Sequence, residues 1–302
     1  MATIYLKKTR FNETLIMQTK QRGSGWSIKL VFNLYKLFGY KFIYYLMYPV
    51  TFFYALISSN VKEALRDYYK HIGVPFNFWV YYEHLRIFAI TMVDIFITKV
   101  DKESYTFLYD DKETPLQVFQ NGTILLLSHF GGWAASASVS RSHNKLNIVM
   151  QEALLDSIKS IEDDINAVSN VNIIDLNQGT IRVSIEIANA LMKDEIVAIM
   201  GDRASNDKAT VGVNFFGQSA NFNKNPFQIA YKMDKPIMVY FVIYKSIQTY
   251  KIEFIKIDMD KTKKEEQAIQ KAIKTYVKFY ENILQEHPNQ WLNFYHFWQK
   301  KV

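Results

Sequence analysis

Residues 123–132 have the sequence T-I-L-L-L-S-H-F-G-G, an apolar run that ends near a histidine and two glycines. Residues 124–127 have the length and apolarity of a short buried strand, and Gly131 and Gly132 supply the backbone freedom of a tight turn. The sequence W-A-A-S-A that follows can then start a helix. His129 is therefore expected in the connection between the carboxyl end of a strand and the start of a helix. Open α/β sheets usually hold substrate at this position.

A histidine in this position has two interpretations. It is either a core or loop histidine whose ring bonds to a backbone carbonyl, or a general base. A general base normally has a carboxylate partner that fixes its tautomer and stabilises the imidazolium. The natural place for that acid is five residues after His129, one turn into the helix, but this residue is Ala134. We therefore expect any acidic partner of His129 to come from elsewhere in the fold.

Composition limits the other classes of site. The chain has 302 residues, of which 49% are hydrophobic, and it contains no cysteine and six scattered histidines. Disulfides, thiolate nucleophiles and cysteine-based zinc sites are excluded, and without HxxxH or HExxH spacing we expect no structural metal and no cofactor. The length suits an α/β unit, residues 101–302, packed together with an N-terminal helical, membrane-associated region, residues 1–100.

The N-terminal region carries a dense aromatic band. Residues 42–61 contain no charged side chain and approach the length of a bilayer-spanning helix, but they include Pro49 and several tyrosines, which prefer the headgroup region. We predict that residues 26–60 interact with a membrane surface, either lying in the interface or entering it as a broken hairpin. The alternative is a buried aromatic helix pair. The net charge of +7 suits anionic lipid, whereas nucleic-acid binding is disfavoured because basic residues are dispersed and interleaved with acids.

Apolar strands and amphipathic helices alternate after His129. Strands are expected at 146–150, 171–175 and 196–200, and helices at 153–167 and 179–192. This βαβαβ order, with strands of the fully buried type, is typical of a parallel sheet. The prediction continues with a helix at 226–233, an antiparallel strand pair at 236–244 and 249–257, and a helix at 264–287. We therefore predict an α/β fold with a central, mostly parallel sheet flanked by helices.

Two further groups of polar residues follow strands of this sheet. Asp202 and Arg203 come directly after the strand 196–200, and Glu152 follows the strand 146–150. Because the carboxyl ends of parallel strands meet at one edge, these side chains can converge on His129. Arg203 has a rigid fork suited to phosphate or carboxylate. The alternative is that Asp202 and Arg203 pair with each other or cap the next loop.

Three segments resemble the lysophospholipid acyltransferase superfamily, most closely its bacterial lipid A acyltransferase-like branch. They are LLLSHFGGW, the later GDRASND with VGVNFFGQSANFNKNPFQIA, and the terminal PNQWLNFYHFW. The family signature is a histidine followed by four residues and then an acid, so His129 matches the histidine, but Ala134 stands where the acid should be. The resemblance implies that Arg203 holds a phosphate of donor or acceptor and makes Asp202 the leading candidate to orient His129. Glu152 is the second candidate, because it should lie on the same edge of the sheet.

The resemblance further implies transfer of a fatty acyl group from a thioester to a hydroxyl or amine of a lipid or glycolipid, at the cytoplasmic face of the bacterial inner membrane. The donor is an acyl carrier protein or acyl-CoA, and the lysine excess favours the acidic carrier. His129 acts as general base, and no cysteine is available for an acyl-enzyme. The backbone N–H groups of Gly131 and Gly132 are expected to stabilise the oxyanion. Ser128 and Phe216 are further expected substrate contacts. Four phenylalanines are expected either to line an acyl tunnel or to belong to the ordinary core, namely Phe215, Phe216, Phe222 and Phe227.

Two rival functions remain at this point. The first is a lipid-binding member of the family that lost catalysis together with the acid at position 134. The second is an esterase that uses Ser128 as nucleophile. Adjacent side chains on a strand point to opposite faces, so Ser128 and His129 cannot readily form a nucleophile–base pair.

Overall fold

A computed structural model describes residues 25–133, 144–150, 171–203 and 207–298. Ala134, Glu152 and the helix expected at 153–167 lie outside the described residues. Nine strands are described: β1 (Thr106–Tyr109), β2 (Thr123–Leu127), β3 (Leu146–Met150), β4 (Val171–Asp175), β5 (Ile196–Met200), β6 (Thr210–Phe215), β7 (Gln218–Asn223), β8 (Ile237–Ser246) and β9 (Thr249–Ile257). The helices are α1 (Gly25–Ile57), α2 (Ser59–His71), α3 (Phe78–Val100), α4 (Glu113–Val118), α5 (Thr180–Met192), α6 (Asn225–Met233) and α7 (Glu265–Glu286), with short 3₁₀ turns between some of them.

Seven of these strands form one sheet in the order β1-β9-β8-β2-β5-β3-β4. All neighbouring pairs are parallel except β8 and β9, which form an antiparallel hairpin. The predicted α/β fold with a mostly parallel sheet is confirmed, and the predicted strands begin and end within one or two residues of those observed. The parallel arrangement brings the carboxyl ends of β2, β5 and β8 to the same edge.

Strand residues alternate between two apolar layers because successive side chains point to opposite faces. In β8, Val239 and Phe241 join the layer formed mainly by α2, α5, α6 and α7, whereas Met238 and Val242 join the layer formed by α1 and α3. The sheet is therefore covered by helices on both faces, as parallel sheets usually are.

The hairpin of β6 and β7 has no counterpart among the elements that the sequence predicted. Its strands pair antiparallel from Thr210 opposite Asn223 to Phe215 opposite Gln218. Phe215 and Phe222 are fully buried, and their rings pack on one another at 5.2 Å between centroids. Phe227 at the start of α6 is equally buried. These three rings belong to the packed core, which is the second of the two interpretations that the sequence left open.

The helix α1 is bent at Gly39, whose φ of 75° and ψ of 177° are non-helical, and not at Pro49. Among the described residues no single helix has the length and apolarity to cross a membrane, but the pair Leu30–Ile57 and Ser59–His71, bent by 92°, meets both criteria jointly. Much of α1 nevertheless exposes large apolar side chains, with Leu37 at 74% and Phe53 at 66% of full exposure.

A buried carboxylate ties the N-terminal helices to the sheet. Asp94 of α3 is fully buried and accepts hydrogen bonds from Tyr40 of α1 at 2.6 Å, from Tyr105 at 2.7 Å and from Tyr250 of β9. Burial raises the pKa of Asp94 to about 6, although the three phenol groups oppose this rise. One polar cluster therefore joins α1, α3, β9 and the segment before β1.

Candidate active site

The site lies where β2 and β5 end side by side. The two strands are parallel, and Leu127 is the register partner of Met200. His129 lies two residues beyond Leu127, and Asp202 lies two residues beyond Met200. His129 Nδ1 lies 2.9 Å from Asp202 Oδ1, and the backbone N–H of His129 donates to Asp202 Oδ2, also at 2.9 Å.

Asp202 is an ionised acceptor in this arrangement. It is fully buried, and burial raises its pKa, but His129, Arg203 and Asn293 together lower the pKa to about 2. A carboxylate in this state can only accept hydrogen bonds, so the proton of the neutral His129 ring is assigned to Nδ1. Nε2 then carries the lone pair. The His129 side chain is 27% exposed, so solvent and small molecules can reach the ring.

Asn293 connects the acid to the neighbouring arginine. Its side chain is fully buried, its Nδ2 donates to Asp202 Oδ2 at 3.0 Å, and its Oδ1 accepts from Arg203 Nε at 2.7 Å. The guanidinium of Arg203 also lies over the ring of Tyr295, 4.5 Å from its centre. Arginine has five N–H donors, and the bond to Asn293 uses one of them. The arrangement fixes the direction in which Arg203 presents its charge.

The C-terminal segment reaches the site by pairing with the chain around His129. Leu292 N–H donates to the carbonyl of His129 at 2.8 Å, and Gly131 N–H donates to the carbonyl of Gln290 at 2.9 Å. Phe130 and Trp291 form an antiparallel bridge between these two bonds. This short ladder places Asn293 beside Asp202 although the two residues are 91 positions apart.

A buried histidine holds this C-terminal segment from behind. His84 of α3 donates from Nε2 to the carbonyl of Trp291 at 2.6 Å, and its Nδ1 lies 3.1 Å from the hydroxyl of Tyr69. Burial lowers the pKa of His84 to about 4, against the opposing effect of the Trp291 bond, so the ring is neutral at physiological pH. His84 therefore supports the position of Trp291 and, through it, of Asn293.

The two glycines after His129 have a structural role that differs from the expected one. Gly131 has φ of +53°, and a Cβ atom there would overlap the carbonyl oxygen of Val242. Its N–H donates to Gln290, and the N–H of Gly132 donates to Val242, each at 2.9 Å. Because both N–H groups are already bonded within the protein, the expected oxyanion contacts from Gly131 and Gly132 are wrong for this structure.

Ser128 and Phe216 contact residues of α7, and neither belongs to the His129–Asp202 cluster. Ser128 is 2% exposed, and its hydroxyl is 2.7 Å from that of Tyr276 on α7. Phe216 occupies the turn between β6 and β7, where its N–H donates to Glu281 at 2.6 Å. None of the described contacts of Ser128 or Phe216 is with His129, Asp202 or Arg203.

Two contributors to the site, Asn293 and His84, are not predicted by the sequence. The terminal segment PNQWLNFYHFW contains Asn293 and carries part of the family resemblance, but nothing in its spacing indicates a contact with Asp202. Among the residues that the structure describes, no group of three or more histidines, aspartates or glutamates is placed to hold a metal ion.

The chain matches the family model of the bacterial lipid A biosynthesis acyltransferases over residues 87–300. This match covers well over half of the chain and includes His129, Asp202, Arg203 and Asn293. The chain therefore belongs to the bacterial lipid A biosynthesis acyltransferase family, whose members transfer acyl groups to lipid. No curated protein matches the chain.

Proposed function

We propose that this chain transfers a fatty acyl group from an acyl thioester to a hydroxyl or amine of a lipid or glycolipid, with His129 as general base. The observation that supports this most strongly is the 2.9 Å contact between His129 Nδ1 and Asp202 Oδ1. Since Asp202 is ionised and accepts the Nδ1 proton, Nε2 has the lone pair that a base needs.

In the proposed reaction, Nε2 takes the proton of the acceptor hydroxyl as the hydroxyl oxygen attacks the thioester carbonyl. The tetrahedral intermediate then expels the thiolate, which receives the same proton from the His129 imidazolium. The products are an ester and a free thiol, or an amide where the acceptor is an amine. Asp202 fixes the ring and stabilises the imidazolium between the two proton transfers.

Arg203 is proposed to bind a phosphate of the donor or acceptor. Its Nε is held by Asn293 at 2.7 Å and its guanidinium is held against Tyr295. A planar guanidinium with a fixed direction suits bidentate contact with phosphate oxygens. Arg203→Lys keeps the charge but loses the fork, and we expect it to raise KM for a phosphorylated substrate.

The donor is proposed to be carried by an acidic acyl carrier protein. Lys271, Lys274 and Lys278 line an open groove on the outer face of α7, whose wall includes Ile255 and Phe279. Three lysines against one lining acid, Glu266, give the groove an excess of positive charge beside apolar side chains, which suits an acidic amphipathic helix. Changing the three lysines to glutamate is expected to raise KM for palmitoyl-acyl carrier protein and to leave KM for palmitoyl-CoA unchanged. Equal effects on both donors would favour coenzyme A.

The apolar surface of α1 is proposed to dock on a membrane. Exposed apolar residues extend along the helix, Lys36 and Lys41 are exposed near them, and Trp79 of α3 is 66% exposed. Aromatic and basic residues in this combination are typical of membrane-interface helices. Together with the bacterial family, this surface supports a location at the cytoplasmic face of the bacterial inner membrane.

The acceptor is best identified by mass spectrometry of lipids from cells with and without the gene. The proposal predicts that one acylated species disappears from the deletion strain and returns with the wild-type gene but not with a His129→Ala gene. Return of that species with both genes would remove His129 from the reaction. Lipid binding by the purified protein without any change in cellular lipids would support the non-catalytic, lipid-binding alternative.

A further inference from the structure

We infer that Asn293 is a positioning residue that sets Asp202 and Arg203 at the same time, so that the C-terminal segment completes the active site. The inference rests on the proposed acyl transfer and adds a residue to it. Asn293 touches neither the acceptor nor the thioester in this role. It acts through Asp202 on the base and through Arg203 on the anion.

The amide of Asn293 suits this double contact because it has a donor end and an acceptor end. Nδ2 is 3.0 Å from Asp202 Oδ2, which also accepts the backbone N–H of His129, and Oδ1 is 2.7 Å from Arg203 Nε. The donor end of the amide therefore faces the carboxylate, which accepts hydrogen bonds, and the acceptor end faces the guanidinium, which donates them. Reversal of the amide would set its NH₂ against the guanidinium and its oxygen against the carboxylate.

The bond to Asp202 limits how that carboxylate can turn. Oδ2 is held by two donors, the Asn293 amide and the His129 backbone, and Oδ1 is thereby left for the Nδ1–H of His129. Without Asn293, rotation of the carboxyl group costs less and the ring of His129 loses a fixed acceptor. Hydrogen bonds to charged groups are stronger than neutral ones, and both bonds of Asn293 are of this kind.

The position of Asn293 is itself fixed by the backbone ladder. Leu292 N–H donates to the carbonyl of His129, and the carbonyl of Trp291 accepts from His84, so the residues just before Asn293 are bonded on both sides. A side chain on such a segment reaches Asp202 with little conformational freedom to lose, which is the condition for precise positioning.

Two substitutions separate the two contacts. Asn293→Asp keeps an acceptor for Arg203 but sets a second carboxylate against Asp202, so kcat should fall roughly 10- to 100-fold while KM for a phosphorylated substrate rises less than in Arg203→Ala. Asn293→Ala loses both contacts, so kcat should fall and KM should rise towards that of Arg203→Ala. A purely structural residue would not give this division between kcat and KM.

Asn147 provides a matched control on β3. It is 2% exposed, its Nδ2 donates to the carboxylate of Glu195 at 2.8 Å, and its Oδ1 accepts from Asn172 at 2.9 Å. Asn147→Asp therefore places a buried carboxylate against another carboxylate at a site remote from His129. We expect it to lower the thermal unfolding midpoint as Asn293→Asp does, but to leave kcat and KM of the folded enzyme unchanged.

Reaction of His129 with diethyl pyrocarbonate supplies a readout that does not need turnover. The positioning role predicts that Asn293→Asp slows labelling of His129 relative to the half-exposed His296 of the same molecules, whereas Asn147→Asp leaves this ratio unchanged. Wild-type kinetics and labelling in both Asn293 variants would overturn the inference, and so would equal losses of kcat in the Asn293 and Asn147 variants. If Asn293→Asp alters the labelling of His129 but the wild-type protein transfers no acyl group, the positioning role of Asn293 is supported and the proposed function is refuted.

Discussion

His129 and Asp202 each lie two residues beyond a register pair, because Leu127 of β2 faces Met200 of β5 in adjacent parallel strands. The sheet itself therefore sets the 2.9 Å contact between imidazole and carboxylate. The acid of the family signature stands five residues after the histidine in sequence, and Ala134 occupies that position here. A neighbouring strand thus provides a carboxylate where the local sequence has none.

Removing the charge of Asp202 should disable the base. Asp202→Asn replaces an obligatory acceptor by a group that can donate to Nδ1, which favours the tautomer with the proton on Nε2. We expect kcat for acyl transfer to fall roughly 100- to 10,000-fold, as for loss of a general base. Glu152→Gln is the control and should retain wild-type activity. Full activity of both variants, measured as thiol release from palmitoyl-CoA, would exclude both carboxylates as partners.

Gly131 should tolerate no side chain. Gly131→Ala combines a positive φ of +53° with overlap between the new Cβ and the carbonyl oxygen of Val242. Gly73 has φ of +72° and open space around it, so Gly73→Ala should lower the free energy of unfolding by only about 1 to 2 kcal/mol, the cost of a left-handed backbone at alanine. Urea unfolding should show a clearly larger decrease in the free energy of unfolding for Gly131→Ala than for Gly73→Ala. Equal losses would mean that the turn after His129 adjusts freely.

The buried His84 should make the fold sensitive to acid. Its pKa is about 4 in the folded chain and near 6.5 in the unfolded chain, so the unfolded state binds a proton first as pH falls. The stability that neutral His84 provides is complete above pH 6.5 and is lost towards pH 4. The stability difference between wild type and His84→Gln should therefore be smaller at pH 5 than at pH 7 by roughly 2 kcal/mol.

Urea unfolding at the two pH values measures this difference directly. Asp94, with a pKa of about 6, titrates in the same range with the opposite sign, but it is present in both proteins and cancels in the comparison. A stability difference that does not change between pH 5 and pH 7 would show that His84 binds its proton equally in both states.

The exposed apolar side of α1 should determine membrane binding. Leu37→Asn with Phe53→Asn removes two large apolar side chains that are 74% and 66% exposed. We expect affinity for vesicles of phosphatidylethanolamine and phosphatidylglycerol to fall roughly 10-fold or more. Ile181→Asn with Ile185→Asn changes two exposed residues of α5 and should leave binding unchanged. Unchanged binding of the α1 variant, or an equal loss in both, would refute this docking surface.

Most of the sheet could be predicted because its strands are apolar, short and separated by amphipathic segments. The antiparallel hairpin of β8 and β9 and the strands β2 to β5 were all identified in this way. The hairpin of β6 and β7 was missed, since its strands contain polar residues such as Asn214 and Asn221 that do not alternate clearly with apolar ones. The bend in α1 was also not located, because a glycine within an apolar helix is a weaker signal than Pro49.

The site was only partly predictable for a different reason. The convergence of His129 and Asp202 follows from a general property of parallel sheets, without knowledge of which strands are neighbours. The contact between Asn293 and Asp202 depends on a pairing between the C-terminal segment and residues 129–131, and no periodic pattern encodes that pairing. The same pairing occupies the N–H of Gly131, which is why the expected oxyanion contact was wrong.

If His129 removes the proton of the acceptor, steady-state acyl transfer should be nearly lost in His129→Ala. His296→Ala serves as control, since His296 is half-exposed and lies on the C-terminal segment. With palmitoyl-acyl carrier protein and bacterial lipid extract, we expect His129→Ala to lose roughly 100- to 10,000-fold in kcat and His296→Ala to remain active. Acyl transfer by folded His129→Ala at the wild-type rate would show that His129 is not the general base.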